Sequence, residues 1–367
     1  MMKTTIKTIV LIYLICIADV VFGNEKAAEI LVYRRASDAS AAVSIGNNMF
    51  IVADDENNTL RVYRTIKGGL PVFTYNMDEF LDIEPEHPEA DIEGATIIGR
   101  RIYWISSHGR NKDGKLRPNR YRFFATDIKV QSGNVNIKPV GKPNKTIIHN
   151  LVESDIARHL SLDVVTRFNT DKLSKKERKK LAPKQNGLNI EGLCASADGR
   201  TIYIGFRNPG YFDRKSKTKK AIIIPLKNPD DVIENSKAPI FSEPILLDLA
   251  GLGIRSIEYS HFHKEYFIIA GSFNDSPKFA LYRWCGNREK QPVLIRQFNQ
   301  IDFNPEALIT FRNSHKLFIL SDDGTLRIKV DGAWECLEGQ YNKDGTCQNK
   351  YLKNPAKKTF RGMWMIP

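Results

Sequence analysis

Five stretches of the chain share one layout: a short polar head, an apolar strand, a turn rich in Gly, Asn or Asp, and a second strand rich in aromatic and β-branched residues. They are 38–56, 91–109, 189–209, 253–273 and 304–324. A further strand-like run follows each, at 59–64, 120–128, 221–226, 279–284 and 325–330. Some repeats show a fourth, at 134–140 and 244–249. Four antiparallel strands recurring about every fifty residues are the signature of β-propeller blades. A β-sandwich would leave the recurring head unexplained. The pattern predicts an all-β chain, a β-propeller of five or six four-stranded blades. Residues 27–34 and the C-terminal run TFRGMWMIP are strand-like pieces expected to complete a blade jointly. One insertion, 142–188, breaks the pattern with two runs of helical character and is expected to project from the rim.

The first 23 residues read as a signal peptide. Lys3 and Lys7 precede a short apolar core, and Val21 and Gly23 suit the small-residue cleavage positions. The run is too short for a comfortable membrane span. The expected mature chain, 24–367, is then one propeller domain, secreted or periplasmic, monomeric and without a membrane span. In an oxidising compartment Cys336 and Cys347, which flank a turn-rich stretch, are the expected disulfide. Cys194 and Cys285 read as plain buried thiols. Hydrophobic residues make up 42% of the chain and charged residues 26%, which excludes a disordered chain.

Aligning the repeats yields two columns. The heads are Ser40, Glu93, Glu191, Arg255 and Glu306; the ends of the second strands are Asp55, His108, Arg207, Ser272 and Asp322. The innermost strand of a blade enters from one face and the second returns to it, so both columns converge on one mouth of the central channel. Carboxylates gathered there repel one another unless a cation or a neighbouring Arg compensates. The bland reading is a water-filled channel lined by salt bridges, with the Gly after Glu93 and Glu191 serving only close backbone approach.

Loops at the same face are basic: 108–120, 207–220, and the KKERKK run at 175–180. Together with a formal net charge of +13 they suit an anionic partner, either a small substrate or an envelope polymer. Nucleic acid is disfavoured, because the aromatic residues fall inside strand patterns and no recognised motif appears. There is no GxSxG, Walker loop, GxGxxG or HExxH.

The strings DIEGATIIGRRIYWISSHGRNKDGKLRPNR, GLNIEGL…DGRTIYIGFRNP and LAGLGIRSIEY resemble a domain-of-unknown-function family of secreted, mostly bacterial proteins. The resemblance covers most of 30–330 and implies a β-propeller without supplying a reaction. More distantly, the Glu-Gly heads are similar to those of the esterase-like phytase and gluconolactonase propellers. That likeness implies Glu93, Glu191 and Glu306 as ligands of a divalent metal, with Arg255 departing from the pattern.

Taken together, these features lead us to expect a ligand site at the channel mouth. Asp55, Glu93, Glu191, Glu306 and Asp322 would hold Ca²⁺; Arg120, Arg207 and Arg255 would grip an anion; His108 and Glu191 would carry the chemistry of a metal-dependent hydrolysis of a phosphorylated ester. The alternative is a non-catalytic propeller that presents the same face to a protein, glycan or envelope polymer.

Overall fold

The computed structural model describes residues 29–46, 48–170, 172–274, 276–298 and 302–367. The leader expected at 1–23 lies outside them.

Five antiparallel sheets form the blades. Blade 1 runs Ala41–Gly46, Met49–Asp54, Asn57–Arg64 and Phe73–Asn76 from the axis outward. Blade 2 is Ile92–Ile98, Arg101–Ser106, Phe123–Gln131 and Asn134–Asn144. Blade 3 is Asn189–Ala195, Ile202–Asn208 and Thr218–Leu226, with Ile245–Leu247 and Tyr211–Asp213 both pairing with its third strand. Blade 4 is Gly253–Ser260, Glu265–Gly271, Phe279–Trp284 and Val293–Gln297.

Blade 5 starts with Pro305–Thr310 and Leu317–Ser321, and its third strand is the C-terminal Thr359–Met365. The outermost strand is the N-terminal Ile30–Arg34, paired Ile30 to Met363 through Arg34 to Thr359. The two chain ends thus complete one blade, and the count is five. The run at 325–330, expected as this blade's third strand, lies elsewhere. Its Arg327–Lys329 pairs with Thr346–Gln348 in a separate two-stranded sheet within an excursion between Ser321 and Thr359.

The innermost strands touch in a closed ring, blade 1 to 2 to 3 to 4 to 5 and back to 1. Second strands such as Met49–Asp54 and Leu317–Ser321 are buried at every position, because a neighbouring blade covers each face. That explains their unbroken apolar runs where a one-sided sheet would alternate. Each junction between blades is its own core. Tyr33, Phe50, Tyr63, Phe318 and Phe360 pack edge-on and stacked between blades 5 and 1. The insertion after blade 2 is helical, with Ile147–Glu153, Asp155–Leu160, Leu162–Thr166 and Lys175–Lys179. It buries Ile147, Ile148, Leu151 and Leu160 against the core between blades 2 and 3.

Cys336 and Cys347 lie side by side in the C-terminal excursion, yet the bridge expected between them is not formed. Both are free, buried thiols packed with Leu352, and burial together with the neighbouring Cys336 pushes the Cys347 thiol up to about 12. Cys194 is buried as expected, but Cys285 is exposed. No helix among the described residues is long and apolar enough to cross a membrane.

Candidate functional site

The heads reach the axis through a repeated backbone device. In blades 2 to 5 the pairing of the first two strands slips at the head: between Ile92 and Gly94, Ile190 and Gly192, Ile254 and Ser256, and Pro305 and Ala307. The skipped residues are Glu93, Glu191, Arg255 and Glu306. A β-bulge re-aims the extra side chain out of the alternating pattern, and here it turns four heads toward one mouth. The glycine that follows lets blades close up: a Cβ on Gly192 would sit 2.7 Å from Ile254 Cγ2 of blade 4, and one on Gly94 3.0 Å from Leu193 Cβ of blade 3.

The same register corrects the second column by one residue in two blades. Ile92 pairs with Ser106, so the counterpart of Arg207 and Asp322 is Ser107, not His108. Ile254 pairs with Ala270, so blade 4 contributes Gly271, not Ser272. A Cβ on Gly271 would lie 3.0 Å from both Cγ and Nε of Arg255, and its absence gives that side chain room.

The mouth opens into a cavity of about 1070 Å³. Asp55, Glu93, Glu191, Glu306, Asp322, Arg120, Arg207 and Arg255 all line it; His108 does not. His108 is buried, with Nδ1 2.8 Å from Ser106 O and its ring against Tyr121, and Nε2 has no partner. Burial lowers its pKa to about 4, so the imidazole is neutral and walled off.

A third column stands two residues before each head: Asp38, Asp91, Asn189, Gly253 and Asn304. Its four side chains also line the cavity. Asp91 accepts a hydrogen bond from Ser107 Oγ and forms an ion pair with Arg120 Nη1 at 3.0 Å. Asn189 donates to Glu191 at 2.7 Å. The fifth member is glycine because a Cβ there would sit 2.0 Å from Arg207 O. Further contributors carry no repeat signal. Glu89 pairs with Arg120, and Lys350, from the C-terminal excursion, pairs with Glu56 at 2.8 Å.

Charge divides the mouth. On one side Glu191, 2% exposed, accepts from Arg207 Nη1 at 2.7 Å and from Arg255 Nη1 at 3.0 Å. Burial alone would raise its pKa, but the two guanidiniums hold it below the usual carboxylate range. Arg255 Nη1 also reaches Glu306 Oε1 at 2.6 Å. Burial and the charges of Glu191 and Asp322 still push Glu306 up to about 8. On the other side carboxylates face one another. Burial raises Asp38, Asp55 and Glu93 well above the ordinary range, and their mutual repulsion adds to it. Asp38 Oδ1, Asp55 Oδ1 and Glu306 Oε2 are buried without a hydrogen-bond partner. Among the described residues Glu93 makes no hydrogen bond or ion pair.

Two triads could hold a cation, Asp55–Asp91–Glu93 and Glu93–Glu191–Glu306; in each, one oxygen per residue lies within 4.8 Å of the others. The three arginines expected to grip an anion are occupied by protein. Arg207 also donates to Ser272 O at 3.0 Å and Asn274 O at 3.4 Å, and Arg120 is shared by Glu89 and Asp91. Positive charge at the outer rim comes from Lys112, Arg117, Lys179 and Lys184, so the 110–117 loop and the insertion border the cavity. The basic loop at 210–220 does not; it folds into the Tyr211–Asp213 hairpin.

A ring of five antiparallel blades, four of them four-stranded and blade 3 five-stranded, with an acidic cluster at one mouth, defines the protein as a five-bladed β-propeller. The chain belongs to the family DUF3616, described as a protein of unknown function, whose pattern matches residues 38–311. No curated protein matches it. Among solved structures it is similar to glutaminyl cyclase from Myxococcus xanthus, at 11% identity and a TM-score of 0.40 over 80% of this chain and 90% of that one. It is also similar to the PQQ-bound aldose sugar dehydrogenase from Streptomyces coelicolor, at 9% identity and a TM-score of 0.38 over 92% and 99%. A third is the Cps50 (Swd1) β-propeller domain from Myceliophteria thermophila, at 11% identity and a TM-score of 0.35 over 93% and 100%. These likenesses carry nothing of those proteins' chemistry to this chain.

Proposed function

We propose that the channel mouth holds one divalent cation on Asp55, Asp91 and Glu93, and that the protein is a metal-dependent hydrolase of a small anionic, phosphorylated ester. The supporting observation is the carboxylate group itself. One oxygen each of Asp55, Asp91 and Glu93 lies within 4.8 Å of the others, burial and repulsion raise Asp38, Asp55 and Glu93, and the buried Oδ1 atoms of Asp38 and Asp55 are unpartnered. Unmet buried carboxylate oxygens are costly, and a hard cation on Asp55, Asp91 and Glu93 would satisfy the Asp55 oxygen and offset the repulsion that Asp55 and Glu93 exert on Asp38. The all-oxygen donor set suits Ca²⁺ or Mg²⁺ and argues against a thiolate- or imidazole-selecting metal.

A cation there would supply Lewis-acid polarisation of the ester and a bound water that ionises more readily. The chain's own residues do the rest. Lys112, Arg117, Lys179 and Lys184 draw an anion to the rim. Arg120 holds Asp91 and Glu89 in place, and Ser107 Oγ donates to the same Asp91 oxygen, Oδ2, that Arg120 contacts. Arg207 and Arg255 brace the heads rather than touching the ligand.

A second reading, a non-catalytic propeller that binds an anionic partner through the same cation, is favoured by one observation: His108, the imidazole expected to carry the chemistry, is walled off from the cavity. Calorimetry with Ca²⁺, Mg²⁺ and Mn²⁺, and thermal unfolding with and without chelator, test the cation. Saturation at a hundredfold excess over Kd should raise stability by about 2.7 kcal/mol. Failure of all three ions to bind removes both readings. Turnover of phosphomonoesters or aryl esters, abolished by chelator, separates the hydrolase from the binder.

A further inference from the structure

The two carboxylate triads share Glu93 but are not equivalent. Asp55–Asp91–Glu93 carries a guanidinium on one member alone, Arg120 Nη1 on Asp91 Oδ2 at 3.0 Å, whereas a single guanidinium, that of Arg255, lies across two members of Glu93–Glu191–Glu306. Arg255 Nη1 bonds Glu191 Oε2 at 3.0 Å and Glu306 Oε1 at 2.6 Å. We infer that Arg255 is a built-in cation occupying a latent second divalent-metal site, and that it restricts the mouth to one exchangeable ion. The inference rests on the single-cation reading above and says which side of the mouth that ion takes.

The placement supports this role. Arg255 is the head of blade 4, turned inward by the same register slip that presents Glu93, Glu191 and Glu306. It thus stands where the repeat elsewhere supplies an acidic ligand, and its charge is opposite. Gly271 clears the space its side chain crosses. The guanidinium is an incomplete filler. Glu306, 3% exposed, keeps Oε2 unpartnered, and Arg255 Nε is unpartnered too. Two positive charges, Arg207 on Glu191 and Arg255 on Glu191 and Glu306, face three carboxylates, and neither touches Glu93. A divalent ion in place of Arg255 can take oxygens from all three. With Arg255 present, a second ion there would meet like charge at contact distance, which disfavours it.

In the native chain the consequence is asymmetry. The exchangeable ion, and any anion attached to it, is held on the side of blades 1 and 2. That is where Lys112 and Arg117 of blade 2 line the cavity.

The test is the stoichiometry of Ca²⁺ by calorimetry, with Mn²⁺ electron paramagnetic resonance as a second readout. The native chain should bind one ion. Arg255→Gln should bind two, and its Mn²⁺ form should show spin coupling between neighbouring ions. Adding Glu306→Gln to Arg255→Gln should return the count to one. Glu306→Gln alone, with Arg255 in place, should still bind one ion with affinity changed less than about threefold, since that ion sits on the other triad. No ion bound by the native chain refutes the reading beneath. One ion in the native chain and still one in a folded Arg255→Gln overturns the inference. Should Arg255→Gln not fold, Glu306→Gln decides alone: loss of the single native ion would put that ion on Arg255's own triad and overturn the proposal.

Discussion

Glu191 and Glu93 are equivalent heads in adjacent blades, yet the structure requires their amides to behave in opposite ways. Glu191 is buried and accepts from Arg207 at 2.7 Å, Asn189 at 2.7 Å and Arg255 at 3.0 Å. Removing one partner of a buried ion pair costs about 3–5 kcal/mol, because the charge left behind is unpaired. Arg255 keeps Glu306, and Arg207 keeps only backbone carbonyls. Glu191→Gln should therefore fall near the lower end, about 3 kcal/mol. At about 2.1 cal/mol/K per residue, that lowers the midpoint of a 367-residue chain by roughly 4 °C. Glu93 has no such partner, and its neighbours Glu191, Asp91, Asp55 and Glu306 repel it. Glu93→Gln removes one of the repelling charges and should leave cation-free stability unchanged or up to about 1 kcal/mol higher, while abolishing Ca²⁺ binding. The assay is thermal unfolding of both variants in chelator at pH 8, followed by calorimetry. Equal destabilisation by the two substitutions, or a midpoint drop for Glu93→Gln as large as for Glu191→Gln, would refute the division of the mouth into a braced half and an open half.

Three further outcomes follow from the same geometry. Glu89 and Glu306 are raised to about 8, above their unfolded value. The folded state therefore holds protons that the unfolded state has released, and cation-free stability should fall as pH rises from about 4.5 to about 8, by roughly 1.4 kcal/mol per pH unit for one such group. Saturating Ca²⁺ should flatten that slope, and a midpoint that climbs over this window in chelator would contradict the sign. His108→Asn, which keeps a residue tolerant of the positive φ of 53°, should leave cation affinity and turnover unchanged. A hundredfold loss of turnover would return the imidazole to the chemistry. Gly192→Ala places a Cβ 2.7 Å from Ile254 Cγ2 and 3.1 Å from Gly205 Cα, and should cost about 1–3 kcal/mol by overpacking, seen as a lower unfolding midpoint with cation stoichiometry retained.

The blades were legible because each repeat must bury both faces of its second strand, and this writes an unbroken apolar run into the sequence five times over. The heads were legible because the fold aims them at a common axis. The second column slipped by one in blades 2 and 4, to His108 and Ser272, although the same bulge stands at the heads of blades 3 and 5, where Arg207 and Asp322 keep their places. The third column was present in plain view. Asp38, Asp91, Asn189, Gly253 and Asn304 are the residues with which the five repeats begin, but a small polar residue at a strand entry reads equally well as turn chemistry. Nothing local marked Lys350 or Glu89. They enter the mouth from segments outside the repeat, and only the closed ring brings them there.

The identity of a head did not reveal its task, and the reason is electrostatic. Glu93, Glu191 and Glu306 look alike in sequence, but a carboxylate's role depends on whether its counter-charge is part of the chain. The single Arg among the heads decides this for two of the three. By bonding Glu191 and Glu306 it turns them into structure and leaves Glu93, with Asp55 and Asp91, as the group whose charge no side chain fully answers. On the single-cation reading proposed above, the departure from the repeat thus selects which half of the ring takes the ion.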